Sequence, residues 1–204
     1  METTDKKIQL ALFASGNGTN VQQITEYFAD HPAVVVNTVV YNRRDAYVAV
    51  RANKLGIESH YFTKHDFMQT DNVLDYLLER RIDYIILAGF LLLVPQNLLT
   101  AFPQHIVNIH PALLPSYGGK GMYGHHVHEA VVANREPESG ITIHVVNEHY
   151  DCGTTLFQAR CRLSPDDDAD SLAAKIHLLE KEFYPRVIES YVLGKPMPVQ
   201  TTTT

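Results

Sequence analysis

The chain has 204 residues, 45% of them hydrophobic, and a formal charge of −6. That is enough apolar material for one sizeable core, and the negative balance excludes a general attractive field for nucleic acid. No apolar run approaches the roughly 20 residues of a membrane helix, and METTDKK leads straight into an apolar strand, so a cytoplasmic protein with no membrane partner is expected.

Runs rich in Val, Ile and Leu alternate with segments of helical period, the pattern of strands crossing over through helices onto a parallel sheet. In chain order this predicts a buried strand at 8–15, a helix at 20–29, a strand at 34–41, a helix at 46–55 and a short strand at 58–62. The spacing of Val73, Leu77 and Leu78 predicts a helix at 71–80, followed by a strand at 84–88, a short helix at 95–102 and a strand at 106–110. Beyond His110 come a loop rich in proline and glycine, a helix near 127–134, strands at 140–146 and 155–162 joined by the turn NEHYDCG, and a long last helix at 170–191. The expected fold is α/β: a single domain over 1–192, with a mostly parallel, doubly wound, Rossmann-like sheet of about seven strands and an antiparallel carboxy-terminal part. The tail 193–204, low in apolar content, is expected to be flexible. Cys152 and Cys161 lack a CxxC spacing, so neither a disulfide framework nor a zinc site is expected.

Two stretches carry chemistry. FASGNGTN, residues 13–20, is a glycine-rich turn between strand and helix, where backbone N–H groups and the helix dipole make an anion site, with Gly18 allowing close approach and Thr19 and Asn20 adding donors. A tight, capped turn explains the same residues, and a dinucleotide site would want a third glycine where Val21 stands, so a single phosphate is the ligand favoured. In IVNIHPALLP, Asn108 and His110 are two apart in an extended strand and so share a face beside the carboxyl edge of the sheet. A histidine there is more often structural, but an amide beside an imidazole can also stabilise an oxyanion and move a proton. Asp151 is the candidate carboxylate to raise the His110 pKa, although a plain turn residue reads the same way. His125, His126 and His128 lack the i, i+4 pattern of helical zinc ligands, and no metal is expected; they are read as substrate contacts or surface. The run SPDDDAD is read as an acidic lead into the last helix.

Taken together, SGNGTN at 15–20, ILAGFLLLVP at 86–95, VNIHPALLPSYGG at 107–119, GITIHVVNEHYDCG at 140–153 and LLEKEFYP at 178–185 resemble the folate-dependent glycinamide ribonucleotide formyltransferases, in the family's order and across nearly the whole chain. The resemblance implies transfer of the formyl group of 10-formyltetrahydrofolate, as co-substrate, to the amine of glycinamide ribonucleotide in purine synthesis. It implies Asn108 as oxyanion stabiliser, protonated His110 as the proton relay and Asp151 as the group that keeps His110 charged. It also assigns Gly16, Asn17, Gly18, Thr19, Asn20 and Glu180 to the ribonucleotide, and Thr70, Leu91, Leu92, Leu93, Val94, Asn108 and Val146 to the folate. Arginines that bind the folate's glutamate tail in the family are matched here by Leu92 and Thr70, and Lys120, in a lengthened GGKGMYGHH loop, is expected to supply the missing charge.

The implied partners are small molecules, without nucleic acid, for a monomer or homodimer. Methionyl-tRNA formyltransferase and formyltetrahydrofolate hydrolase share parts of the motif set but carry additional domains that this sequence does not present. A sugar-nucleotide formyltransferase, or a noncatalytic phosphate binder of the same fold, is the alternative reading. The tight LLP turn raises the expectation of a cis peptide at Leu114–Pro115.

Overall fold

A computed structural model describes residues 6–200. The chain alternates strand and helix through β1 (Ile8–Ala14), α1 (Thr19–Phe28), β2 (Val34–Tyr41), α2 (Val48–Lys54), β3 (Glu58–Tyr61), α3 (Lys64–Gln69), α4 (Asn72–Glu79), β4 (Tyr84–Leu87), α5 (Gln96–Ala101) and β5 (Ile106–His110). After a long loop come α6 (His125–Ala133), β6 (Glu138–Val145), β7 (Thr155–Arg162) and α7 (Ala169–Val192). The strands form one seven-stranded sheet in the order β3-β2-β1-β4-β5-β6-β7. The pairs β1–β2, β1–β4 and β2–β3 are parallel, whereas β6–β7 is antiparallel. By contacts the chain divides into two compact units between Val107 and Asn108, each described in turn.

In the first unit, β1 is buried without a break from Leu10 onward, as a strand covered on both faces must be. The winding reverses about it, since the chain builds β2 and β3 on one side and β4 on the other; such a switch is where open α/β sheets bind ligands. Helix α1 buries Val21, Ile24, Thr25 and Phe28, a single helical stripe. The sequence did not predict α3. Its six residues bury only Phe67, too few for a period, yet it is fixed by a capping box in which Thr63 Oγ1 accepts from Asp66 N–H and Asp66 accepts from Thr63 N–H. Phe67 packs against Phe13 and Phe90, with ring centroids 5.7 and 5.0 Å away.

In the second unit, β6 and β7 approach so closely at Gly140 that an added Cβ would lie 1.9 Å from the Ala159 carbonyl oxygen. Helix α7 starts at a capping box between Asp168 and Ser171, which gives the acidic run its structural role. Leu172, Ile176, Phe183, Tyr184, Val187 and Ile188 form its buried stripe, and Glu180 falls on the same stripe. Beyond α7, Arg160 N–H donates to Gln200 Oε1 at 2.8 Å and Gln200 Nε2 donates back to the Arg160 carbonyl at 2.7 Å. The tail is thus held at one point against β7, and its last four residues, 201–204, lie outside the described residues.

The loop after β5 is held by Thr142 of β6, a fully buried hydroxyl. It donates to the Ala112 carbonyl (2.7 Å) and accepts from Leu114 N–H (2.9 Å) and Gln158 Nε2 (2.9 Å). The Leu114–Pro115 peptide within this loop is cis. Thr142→Val keeps the shape but leaves these groups without their common partner, so a loss of about 2 kcal/mol is expected. Urea unfolding checks this as a lower midpoint with unchanged slope; an unaltered midpoint would show that the hydroxyl is dispensable.

Candidate active site

In the second unit, β5 ends at His110 and β6 at Val145, and their side chains meet the turn that carries Asp151. His110 is 3% exposed. Its Nε2 lies 2.8 Å from the Tyr117 carbonyl oxygen; a carbonyl only accepts, so this nitrogen carries the proton. Nδ1 then faces the Asp151 carboxylate, 3.6 Å from Oδ2. The other oxygen, Oδ1, is 3.7 Å from Nε2 of His144, a residue to which no role is assigned from sequence. Asn108 Nδ2 is 3.1 Å from the same His144 nitrogen. Asn108, His110 and Asp151 are thereby brought together, with His144 as the fourth member.

The backbone around the cluster is unusual. Tyr117 and Asp151 both take positive φ, 58° and 54°, a region that Asp tolerates better than most residues and that clusters at functional sites. Tyr117 is anchored at its far end, where its hydroxyl donates to Glu136 (2.6 Å) and accepts from Asn134 (2.9 Å). Gly119 N–H donates to Asp151 Oδ2 at 2.9 Å. Burial pushes the Asp151 carboxyl up, but the His144 and His110 imidazoles and the Gly119 N–H outweigh it and hold the group below 3.8.

One expectation is corrected here. Asp151 does raise the His110 pKa, and so does the Tyr117 carbonyl, but burial is the larger effect and His144 adds to it, so the imidazole lies below 6.5. At neutral pH the resting site holds a neutral His110, not the protonated one that the family resemblance implied.

In the first unit, the glycine turn is braced from behind. Gly18 has φ 77°, and an added Cβ would sit 2.5 Å from Val48 Cγ2 of α2. Arg51, one helical turn on, donates to the Asn17 carbonyl (2.7 Å), to Asn17 Oδ1 (3.3 Å) and to Gln22. Gly16, Asn17 and Thr19 are exposed and Asn20 is half-buried, with the turn opening onto the amino end of α1. Ser15, also passed over in the sequence, donates its hydroxyl to Asn42 Oδ1 (2.7 Å) and accepts from Leu91 N–H (2.9 Å). Leu91 is 42% exposed, Leu92 and Leu93 are half-buried and Val94 is buried, so this loop after β4 presents an apolar edge.

Thr70 is placed differently from the expectation. It closes α3, with its hydroxyl donating to the Asp66 carbonyl (2.9 Å) and accepting from Asn72 N–H (3.2 Å). It also lines a cavity of 380 Å³ with Phe67, Asp71, Pro95 and Asn97. Because α3 occupies 64–69, the residues leading into the helix after β3 are Thr63 and Lys64, and the cation at that place is Lys64. In the second unit, Lys120 is exposed and Val146 half-buried at the end of β6.

The histidine cluster lies on the first turn of α6, two residues earlier than the predicted helix start. Glu129, an acidic neighbour that the sequence reading did not credit, lies 3.8 Å from His125 and 3.3 Å from His126. His128 is buried and held below 6.5, first by burial and then by His125 and His177, with Glu180 opposing. Glu180 itself accepts from His177 Nδ1 at 3.1 Å. Among the described residues, no group of three or more His, Cys, Asp or Glu side chains is placed to hold a metal ion, and no helix is long and apolar enough to cross a membrane.

Residues 8–188 match the family described as Formyl transferase. The chain belongs to the formyl transferase family. Phosphoribosylglycinamide formyltransferase of Haemophilus influenzae is 33% identical over 193 residues, which cover 92% of this chain and 88% of that protein. The chloroplastic phosphoribosylglycinamide formyltransferase of Arabidopsis thaliana is 39% identical over 191 residues, 90% of this chain. This formyl transferase chain spans 65% of the length of that plant protein and 62% of its Vigna unguiculata counterpart. Among solved structures, phosphoribosylglycinamide formyltransferase from Streptococcus pneumoniae TIGR4 superimposes with a TM-score of 0.79 at 36% identity, covering 92% of this chain and 99% of that one.

Protonation of His110 supplies a direct check on its surroundings. The native imidazole binds its proton below 6.5, the ordinary value that it regains on unfolding, so the unfolded chain binds more protons in that window. Stability is therefore expected to be lost as pH falls from 6.5 through the native pKa. By NMR, the His110 ring should titrate below 6.5, and Asp151→Asn should lower the midpoint further; a midpoint at or above 6.5 in the unaltered protein would contradict burial as the dominant influence.

Proposed function

We propose that this chain transfers the formyl group of 10-formyltetrahydrofolate to the amine of glycinamide ribonucleotide, giving the formylated ribonucleotide and tetrahydrofolate. The observation that carries the reading is the set of Asn108, His110, His144 and Asp151, with both imidazoles buried, held together in a member of the formyl transferase family. The glycine turn with its exposed backbone, braced by Arg51, supports a site for the ribonucleotide phosphate. The exposed Leu91 in an apolar loop after β4 fits the flat ring of a folate, which supplies the reactive carbon.

The chemistry follows from the protonation state. Neutral His110 has its proton on Nε2, committed to Tyr117, so Nδ1 has the lone pair. Nδ1 takes the proton released as the substrate amine forms its bond to the formyl carbon. The imidazolium so formed still donates to the Tyr117 carbonyl and faces the Asp151 carboxylate across 3.6 Å, so the opposite charge stabilises it when it appears. Asn108 donates an amide N–H to the oxygen that becomes negative. His110 then returns the proton to the folate nitrogen as its bond to carbon breaks, leaving the enzyme as it began. Glu180, a buried carboxylate on α7, is suited to orient the substrate amine.

An absorbance assay with glycinamide ribonucleotide and 10-formyltetrahydrofolate tests the reading. His110→Ala and Asn108→Ala are each expected to lower kcat by roughly 100-fold or more. Gly18→Ala, which drives a methyl group into Val48, should chiefly raise KM for the ribonucleotide. No turnover of glycinamide ribonucleotide by the unaltered protein would end the proposal.

A further inference from the structure

We infer that His144 is a positioning residue, whose lone pair sets the direction of the Asn108 amide. The inference rests on the proposed role of Asn108 and adds to it the reason why the amide points one way.

A primary amide is nearly symmetric in shape, and only its hydrogen-bond partners distinguish N–H from carbonyl. In Asn108 the distinguishing partner is His144 Nε2, 3.1 Å from Nδ2. The other ring nitrogen, Nδ1, lies 3.1 Å from the Val145 carbonyl oxygen. That oxygen only accepts, so Nδ1 carries the proton, and in the neutral ring Nε2 is the acceptor. His144 therefore takes one Asn108 N–H and leaves the second for the reacting oxygen. If Nε2 were protonated it would need an acceptor, and the amide would have to turn its carbonyl to the ring, withdrawing the donor from the reaction.

The surroundings hold this arrangement. His144 is 1% exposed, so no bulk water competes with the amide for its Nε2. The space beside it is closed by Gly153, where an added Cβ would lie 1.6 Å from the Val145 carbonyl oxygen and 3.4 Å from His144 Nδ1. The ionisable groups facing the ring are Asp151, 3.7 Å from Nε2, and His110. Neither removes the role of Nε2 as an acceptor: 3.7 Å is longer than a hydrogen bond, whereas the amide is within one.

Two measurements on the full chain test the inference. In the formyl-transfer assay, His144→Leu is expected to lower kcat by ~10- to 100-fold, the scale of a misdirected oxyanion donor, with KM for both substrates little changed. His144→Gln, which can offer Oε1 to the same N–H, should restore most of the loss. In an Asn108→Ala background, His144→Leu should cost less than about threefold more, because its effect acts through the missing amide. The same pair measured with Asp151→Asn should couple more weakly. Additive losses with Asn108→Ala, or no rescue by Gln, would overturn the inference. Full activity of Asn108→Ala itself would instead remove the reading on which the inference rests. Independently of activity and of how the variants fold, 15N spectra of the unaltered protein at neutral pH should show His144 protonated at Nδ1 and bare at Nε2; the opposite tautomer would overturn the assignment.

Discussion

A carboxylate that is nearly out of water must be compensated by its surroundings or lose its charge, and Asp151 is the group on which that demand falls. One oxygen faces His110 and accepts the Gly119 N–H, while the other faces His144. To reach this position the residue adopts a left-handed backbone, which holds only because the surroundings fix both sides of the turn. The rest of the second unit can be read as satisfying that demand. The loop after β5 must pass close enough for the Gly119 N–H to meet the carboxylate, and Thr142 and Tyr117 are the groups that hold it there.

The same charge explains why His110 is poised rather than pre-charged. Burial disfavours an imidazolium, and the carboxylate favours one, with burial prevailing at rest. Under the proposed reading, a ring in that balance gains a proton readily when a reacting amine sheds one, and surrenders it without having paired too tightly. In the first unit the corresponding constraint is mechanical. The turn between β1 and α1 has no buried charge to hold it, and its shape is imposed by Val48 beneath Gly18 and by the three hydrogen bonds of Arg51.

Most of the architecture was legible because parallel strands buried on both faces read as apolar runs, and the sheet has the seven strands that the runs predict. Helix α3 was not, since a single buried Phe67 makes no period; its signal was the Thr63 and Asp66 capping pair. Overlooking it left Thr70 read as a loop residue after β3, whereas Thr70 closes the helix that Lys64 begins. The start of α6 was masked by histidines on its first turn and a glycine at its cap. Asn108 and His110 stood out as polar breaks in an apolar strand, and their two-residue spacing put them on one face. His144 did not stand out. From Ser139 to Val145 every residue of β6 is buried, so no alternation separates the face toward Asn108 from the other. The charge state of His110 was also beyond reach, because sequence names a carboxylate partner but gives no measure of burial.

Ser15 joins three loops that are far apart in sequence: its backbone N–H meets Gly89, and its hydroxyl links Asn42 to Leu91. A replacement at Asn42 would reach the Leu91 segment through a single oxygen atom, and the glycine turn through the residue that begins it. Under the proposed reading, affinity for the acceptor and affinity for the one-carbon donor therefore share a mechanical linkage, and selection acting on one substrate is constrained by what the other will tolerate.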